Sequence, residues 1–236
     1  HSIRNNNSDM ERYSLAFNFH IEGELYSNNK REKPVVGFCG MAPHGAVVGM
    51  KERLQILKRN IKSIIGISPD DTQALLSSSN LRFNVLMSFE RNNWFSTNYL
   101  IRQKYRGGIQ TSENRRNTTL EYYNNQVQSN LVTCVRGVGN FSLRFYETLA
   151  MGRIPIFVDT DSPLPELGGK DWNDYIIWVE QNKIDQAPQI AKAWLEGKNI
   201  IELEKKNRQL WIEHFRLDNF WINELELVAS NSRIKR

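Results

Sequence analysis

Residues 131–165 read LVTCVRGVGNFSLRFYETLAMGRIPIFVDTDSPLP, and the change of hydrophobic period along them decides the fold class. Residues 131–135 are a short apolar, β-branched run, the composition of a buried strand. Residues 136–140, Arg-Gly-Val-Gly-Asn, are turn chemistry. From Ser142 the apolar side chains fall at Leu143, Tyr146, Leu149 and Ala150, which is helical spacing, and Gly152 stops the pattern. Residues 154–158 form a second apolar run. Strand, glycine turn, helix and strand make one βαβ unit, and the right-handed crossover rule puts its two strands parallel in one sheet.

The turn is where ligand chemistry belongs. Backbone N–H groups at the start of a helix lack intrahelical partners and carry the positive end of the helix dipole, so an anion is welcome there. Gly137 and Gly139 carry no Cβ and permit a close approach, and Asn140 shares their turn. Ser142 either caps the helix or gives its hydroxyl to a ligand. Arg136 at the end of the strand and Arg144 in the first turn of the helix direct two planar cations toward one volume, as a pyrophosphate requires. Glu147, one turn beyond Arg144 on the same face, is placed to accept from a ribose. Plainer readings stand beside these: Arg144 and Glu147 as an exposed ion pair, the glycines as a tight turn, Ser142 as a simple N-cap. The coincidence of all of them in one strand-to-helix junction favours the anion site.

Residues 134–159, CVRGVGNFSLRFYETLAMGRIPIFVD, resemble the signature segment of the exostosin-like glycosyltransferases, a family of heparan-sulfate polymerases, plant cell-wall transferases and bacterial polysaccharide enzymes. The likeness is long and nearly gapless. It implies an α/β fold, a Rossmann-like parallel sheet flanked by helices, forming the C-terminal half of a GT-B enzyme whose two such domains face each other across a cleft. It implies a nucleotide-sugar donor, UDP-linked, met by Arg136, Arg144 and Glu147 at the diphosphate and ribose. It also implies a glycan or polysaccharide acceptor, inversion at the anomeric carbon, no cofactor and no required metal. The setting would be the cytoplasm or the cytoplasmic face of the membrane in a bacterium, and the Golgi lumen in a eukaryote.

With 236 residues, 40% of them hydrophobic, the chain has material for one large α/β domain or two small ones. A complete GT-B enzyme needs more, and one βαβ system is legible. The expectation is a donor-binding domain over residues 34–230, preceded by a connecting segment 1–33 left from a missing N-terminal GT-B domain and followed by a basic tail, 231–236. The formal net charge of +5 suits acidic partners: nucleotide diphosphates, an anionic polysaccharide, or membrane headgroups met by peripheral association. Basic residues are interleaved with acids and no nucleic-acid motif is present, so no nucleic-acid partner is expected. No apolar run approaches a membrane span and no signal peptide opens the sequence. Cys39 and Cys134 both sit in apolar runs and read as buried free thiols.

Earlier in the chain, Pro34 introduces residues 35–40, VVGFCG, read as the first central strand. A loop with His44 follows, then a basic amphipathic helix with Leu54, Leu57, Ile61 and Ile64 on one face. Ligands of open α/β sheets sit at such strand ends, so His44 and Arg53 are expected to reach the donor phosphates; loop polarity and solvated surface are the plainer alternatives. The family likeness also places an arginine in this helix. Residues 13–19 alternate like an edge strand, and His20 has no second ligand at metal spacing. Residues 81–89 read as a second strand, 99–106 as a short basic helix ended by Gly107-Gly108, and 114–119 as a loop before a helix at 120–129. Trp94 offers a stacking face for sugar or simply packs. Asp159-Thr-Asp161 has the look of a metal-binding pair, but it follows the strand after the donor helix, where Asp159 is read as a hydrogen-bonding residue of the cleft. Residues 175–179 read as the last strand, and 186–197, 202–215 and 217–228 as helices.

Two other readings compete. A dinucleotide oxidoreductase would share the sheet, but Gly137-Val-Gly139-Asn-Phe-Ser142 lacks the third glycine of its fingerprint, and no convincing acidic residue follows on a second strand about 20 positions later. A noncatalytic nucleotide-sugar-binding subunit would keep the same site without turnover.

Overall fold

The computed structural model describes residues 32–67, 72–102, 112–137 and 139–216 together with Asn219, with backbone alone at 112–114. The edge-strand reading of 13–19, His20, the Gly107-Gly108 stop, the helix at 217–228 and the basic tail lie outside the described residues.

The elements in chain order are β1 (Val35–Met41), α1 (Ala46–Ile64), α2 (Ser78–Glu90), β2 (Ser96–Arg102), α3 (Ser112–Val127), β3 (Leu131–Cys134), α4 (Leu143–Ala150), β4 (Ile154–Asp159), β5 (Ile177–Glu180), α5 (Ala187–Leu195) and α6 (Ile200–His214), with 3₁₀ turns at Trp172–Asp174 and Gln181–Gln186. The five strands form one all-parallel sheet in the order β2-β1-β3-β4-β5, with helices on both faces, an α/β Rossmann-like arrangement. The unit read from 131–159 is present as β3, α4 and β4, and Leu131 pairs with Ile154 in parallel register.

Burial on both faces explains why β3 and β4 are continuous apolar runs. Leu131, Ile154 and Ile156 join Val36, Val85, Phe89, Ala187 and Ala191 under α2 and α5. Val132, Cys134 and Phe157 join Phe145, Leu149, Leu210 and Trp211 under α4 and α6. Helix α3 lies over β1 on the α4 side, so close that a Cβ at Gly37 would fall 2.1 Å from the Ser129 hydroxyl. Cys39 and Cys134 are buried free thiols, and burial pushes Cys134 up to about 12.

At the amino edge of the sheet a buried polar network ties α6 down. Arg153 and Glu204 pair at 2.8 Å with no side-chain exposure. Asn130 Nδ2 donates to Glu204 at 3.0 Å, and Asn130 Oδ1 accepts from the Val35 amide at 3.1 Å. Asn207 donates to the carbonyls of Arg153 and Tyr175, both at 3.0 Å.

Two expected elements exchange identity. Residues 81–89 are not a strand but the body of α2: Ser77 caps it by accepting from the Asn80 amide, and Val85 and Phe89, one turn apart, are its buried stripe. Residues 99–102 are not helical but belong to β2, whose register runs Val35↔Ser96 to Met41↔Arg102. Among the described residues it is an edge strand paired with β1 alone, and its half-exposed, polar composition hid it. Helix α3 takes in residues 114–119, read from sequence as a loop. The apolar face of α1 also differs from expectation: its buried residues are Gly49 and Ile56, whereas Leu54, Leu57, Ile61 and Ile64 are exposed. Trp94 sits in the turn before β2, at the amino edge, and packs edge-on against Phe95 at 4.7 Å; it is far from the strand ends where ligands bind. Among the described residues no helix is long and apolar enough to cross a membrane.

Candidate functional site

In the order β2-β1-β3-β4-β5 the chain leaves β1 toward one edge and β3 toward the other. Their carboxyl ends therefore diverge and open a crevice, the topological switch point where open α/β sheets bind ligands. The loop after β1 carries His44, and the turn after β3 carries Arg136, Gly137, Gly139 and Asn140.

Arg82, from the second turn of α2, spans this gap. Its Nη1 donates to the Met41 carbonyl at 2.8 Å and its Nη2 to the Arg136 carbonyl at 3.0 Å, joining the two strand ends. Burial and then the charge of Arg144 draw its pKa down to about 10, while Glu52 works against the shift; the group remains a cation at neutral pH.

Arg136 is buried and faces α2. Its Nε donates to Ser78 Oγ at 3.3 Å, Nη1 to Asn140 Oδ1 at 3.3 Å and Nη2 to the Ala74 carbonyl at 3.2 Å. Desolvation lowers its pKa, with Glu52 opposing. Arg144 comes from α4 on the other flank. Its Nη2 donates to the Cys39 carbonyl at 2.9 Å, and its guanidinium carbon lies 4.3 Å above the Phe38 ring. Its Nε is buried with no hydrogen-bond partner. The approach crosses Gly40: a Cβ there would stand 2.7 Å from Arg144 Nη2, and Gly40 holds φ at 155°. Arg136 and Arg144 thus do not meet directly, as the sequence implied. They reach the junction from opposite flanks with Arg82 bridging it. Among the described residues none of the three has a carboxylate within ion-pair distance.

The remaining residues divide. Asn140 accepts from Arg136 and donates to the Asp161 carbonyl at 2.8 Å, tying the turn to the end of β4. There Asp161 takes φ 58°, and its amide donates to Asp159 Oδ1 at 2.9 Å. The Gly137 amide donates to the Phe141 carbonyl and its carbonyl accepts from Ser78 Oγ, so Gly137 shapes the turn rather than presenting a free donor. Gly139 makes room for the Phe141 ring, which a Cβ would approach to 2.8 Å. Ser142 is the buried N-cap of α4, with extended backbone and no capping bond from its hydroxyl. His44 is exposed at the same edge, stacked on Phe83 with centroids 3.6 Å apart.

Glu147 makes no ion pair with Arg144, the plainer of its two readings; Tyr122 of α3 donates to it at 2.5 Å, and burial followed by the Glu147 charge pushes Tyr122 well above the usual tyrosine range. Arg53 is exposed on α1, and the α1 charges that act on Arg136 are those of Glu52 and Arg59. Glu52 occupies the amino end of α2, accepting from Ser77 Oγ at 2.7 Å, Ser79 Oγ at 2.5 Å and the Ser79 amide at 3.2 Å.

No protein-family model and no curated protein matches this chain. Sequence reasoning missed Arg82, because it lay in a stretch read as a strand; the signal was the Ser77-Ser-Ser-Asn80 cap ahead of the Val85/Phe89 pair. Three guanidinium groups held by neutral acceptors gather at the strand ends, with Glu52 opposing on Arg82 and Glu52 and Asp161 opposing on Arg136. Among the described residues no three His, Cys, Asp or Glu side chains gather as a metal site.

Proposed function

We propose that this chain is the donor-binding domain of an inverting, exostosin-type glycosyltransferase that moves a sugar from a nucleoside diphosphate, UDP by family likeness, to a glycan or polysaccharide acceptor. The observation that carries the reading is the Arg82 bridge from the Met41 carbonyl to the Arg136 carbonyl at the switch point, with Arg136 and Arg144 on either side. The donor's diphosphate sits against these cations and the first turn of α4. As the glycosidic bond breaks, negative charge grows on the departing diphosphate, and donors already fixed toward it lower the barrier without reorganising. Inversion needs a base on the opposite face of the sugar to take the acceptor's proton, which the acceptor-side half of a GT-B enzyme is placed to supply. The enzyme works in the cytoplasm or at the cytoplasmic membrane face in a bacterium, or in the Golgi lumen in a eukaryote.

Calorimetric titration of the chain with UDP and with NAD tests this. UDP is expected to bind and NAD not, with Arg144→Ala weakening UDP at least tenfold; NAD binding, or UDP binding unchanged in the variant, would overturn it. Turnover of a UDP-sugar panel by the full-length protein separates a transferase from a noncatalytic binding subunit.

A further inference from the structure

Helix α1 is held by a narrow and largely polar face. The Gly45 amide donates to Asn80 Oδ1 at 3.0 Å, Glu52 accepts from Ser77 and Ser79, and Asn60 donates to the Gln73 carbonyl at 2.7 Å. Gly49 allows the close approach to α2, since a Cβ there would stand 2.6 Å from Asn80 Nδ2, and Ile56 is the buried apolar side chain of the helix. At about 100° per residue, Gly49, Glu52, Ile56 and Asn60 share an arc only about 80° wide.

The open side of α1 is divided into stripes. Val47, Met50, Leu54, Leu57, Ile61 and Ile64 fill the next arc of about 100°, exposed between 42% at Leu57 and 77% at Val47. Ile65 and Ile67, 60% and 70% exposed, extend the apolar surface beyond the helix end. Lys51, Lys58 and Lys62 stand along one border of the stripe, within about a further 60°, and Arg53 lies on the other border. All four are exposed, and among the described residues none of the four forms an ion pair. The single acid of the helix, Glu52, is on the packed face and engaged by the two serines, so the open side of α1 carries cations and no anion.

We infer that α1 seats this protein on an anionic phospholipid bilayer, its apolar stripe among the upper acyl carbons and its bordering cations on the lipid phosphates. An apolar stripe edged by lysines, on a helix too polar to cross a bilayer, is the composition of a helix that lies in the interface plane. The stripe runs the whole length of a 19-residue helix, about 28 Å, and a flat lipid surface can cover all of it at once. Lysine stems lie along apolar surface while their ammonium groups reach outward to phosphates. A partner helix would instead be selected by bordering charges of both signs, which α1 lacks. A second copy of this chain is a poorer occupant still, because it would bring the cations of both borders together with no acid between them. Helix α1 starts at Ala46, just after β1 ends at Met41, so a seated α1 holds the mouth of the crevice beside the headgroup layer.

Vesicle flotation of the full chain tests this. Phosphatidylcholine vesicles containing about a third phosphatidylglycerol should carry the protein, and pure phosphatidylcholine should carry about tenfold less. Leu54→Glu with Ile61→Glu should abolish binding, and Lys51→Glu with Lys58→Glu should weaken it about tenfold. Both double variants should keep the wild-type circular dichroism, because the four side chains are exposed. No binding to the anionic vesicles, equal binding to both kinds, or unchanged binding in either variant would overturn the proposal. A lipid-free dimer that Leu54→Glu dissociates would overturn it in favour of a second copy. A solvatochromic dye gives an independent reading, since the buried Cys39 and Cys134 stay unlabelled. On Leu57→Cys the dye should shift to the blue with anionic vesicles, and on Gln209→Cys of α6, which packs beside α4 on the other face of the sheet, it should not. Equal shifts at the two positions would refute the assignment to α1.

Discussion

The Arg82 guanidinium donates to the carbonyl of Arg136 at 3.0 Å, so one arginine orients the backbone that carries the next. The same group holds Met41, making α2 the brace that keeps the ends of β1 and β3 at a fixed separation. Arg82→Ala leaves two carbonyls without their charged donor, a loss of about 1.5–3 kcal/mol per such hydrogen bond. Urea denaturation should report a drop of that order, and titration should show UDP weakened at least tenfold. Arg82→Lys keeps the charge but not the fork, and is expected to fall between wild type and alanine. Full UDP affinity in folded Arg82→Ala would remove this residue from the site.

Gly40→Ala tests the approach of Arg144 from the other flank. A methyl 2.7 Å from Nη2, at a backbone φ of 155°, must displace the guanidinium or shift the strand end, at about 1–3 kcal/mol of strain. UDP affinity should fall as far in Gly40→Ala as in Arg144→Ala, and the double variant should bind no more weakly than the worse single one. Additive losses in the double variant would show that Gly40 serves something other than Arg144.

The Arg153–Glu204 pair has no exposure and lies at the amino edge, the opposite end of the sheet from the crevice. Removing one partner strands a buried charge, which typically costs about 3–5 kcal/mol. Glu204→Ala should lower the urea midpoint by that order or fail to fold, whereas Glu204→Gln, which retains an acceptor for Asn130, should be milder. UDP affinity at a temperature where the variant is folded should be unchanged.

Alkaline pH should destabilise the fold. Burial raises Cys134 to about 12 and also raises Cys39 and Tyr122. Each raised group holds its proton more tightly folded than unfolded. Its contribution is therefore complete below the unfolded pKa, near 9 for the thiols, and is lost as pH climbs toward the folded value. From pH 9 upward the unfolding free energy should fall, with a slope approaching about 1.4 kcal/mol per pH unit for each such group. Denaturation at pH 8, 9.5 and 10.5 checks this, and Cys134→Ala should flatten the slope by about one group's share.

Much of the frame was legible in one dimension. The β3-α4-β4 unit, β1 and α6 announced themselves through runs and periods confined to neighbouring residues, and the two buried thiols through their apolar surroundings. Helix α2 and strand β2 were misread for a physical reason. Short mixed runs such as LRFNVLMSF satisfy both periods loosely, and an edge strand with one partner need not alternate.

The crevice divides along the same line. A glycine turn with flanking arginines is a local pattern, so Arg136 and Arg144 stand out as candidates in the chain alone. Local order along the chain likewise determined that a parallel α/β sheet would form, because strand and helix periods depend on neighbours a few positions apart. The partners of each arginine were settled only in three dimensions: Arg82 meets Met41 and Arg136 across 41 and 54 positions, Arg144 meets Cys39 across 105, and Glu147 turns to Tyr122 across 25. Such contacts are made by the packing of α2, α3 and α4 against the sheet, and side-chain geometry at that range leaves no trace in the order of residues.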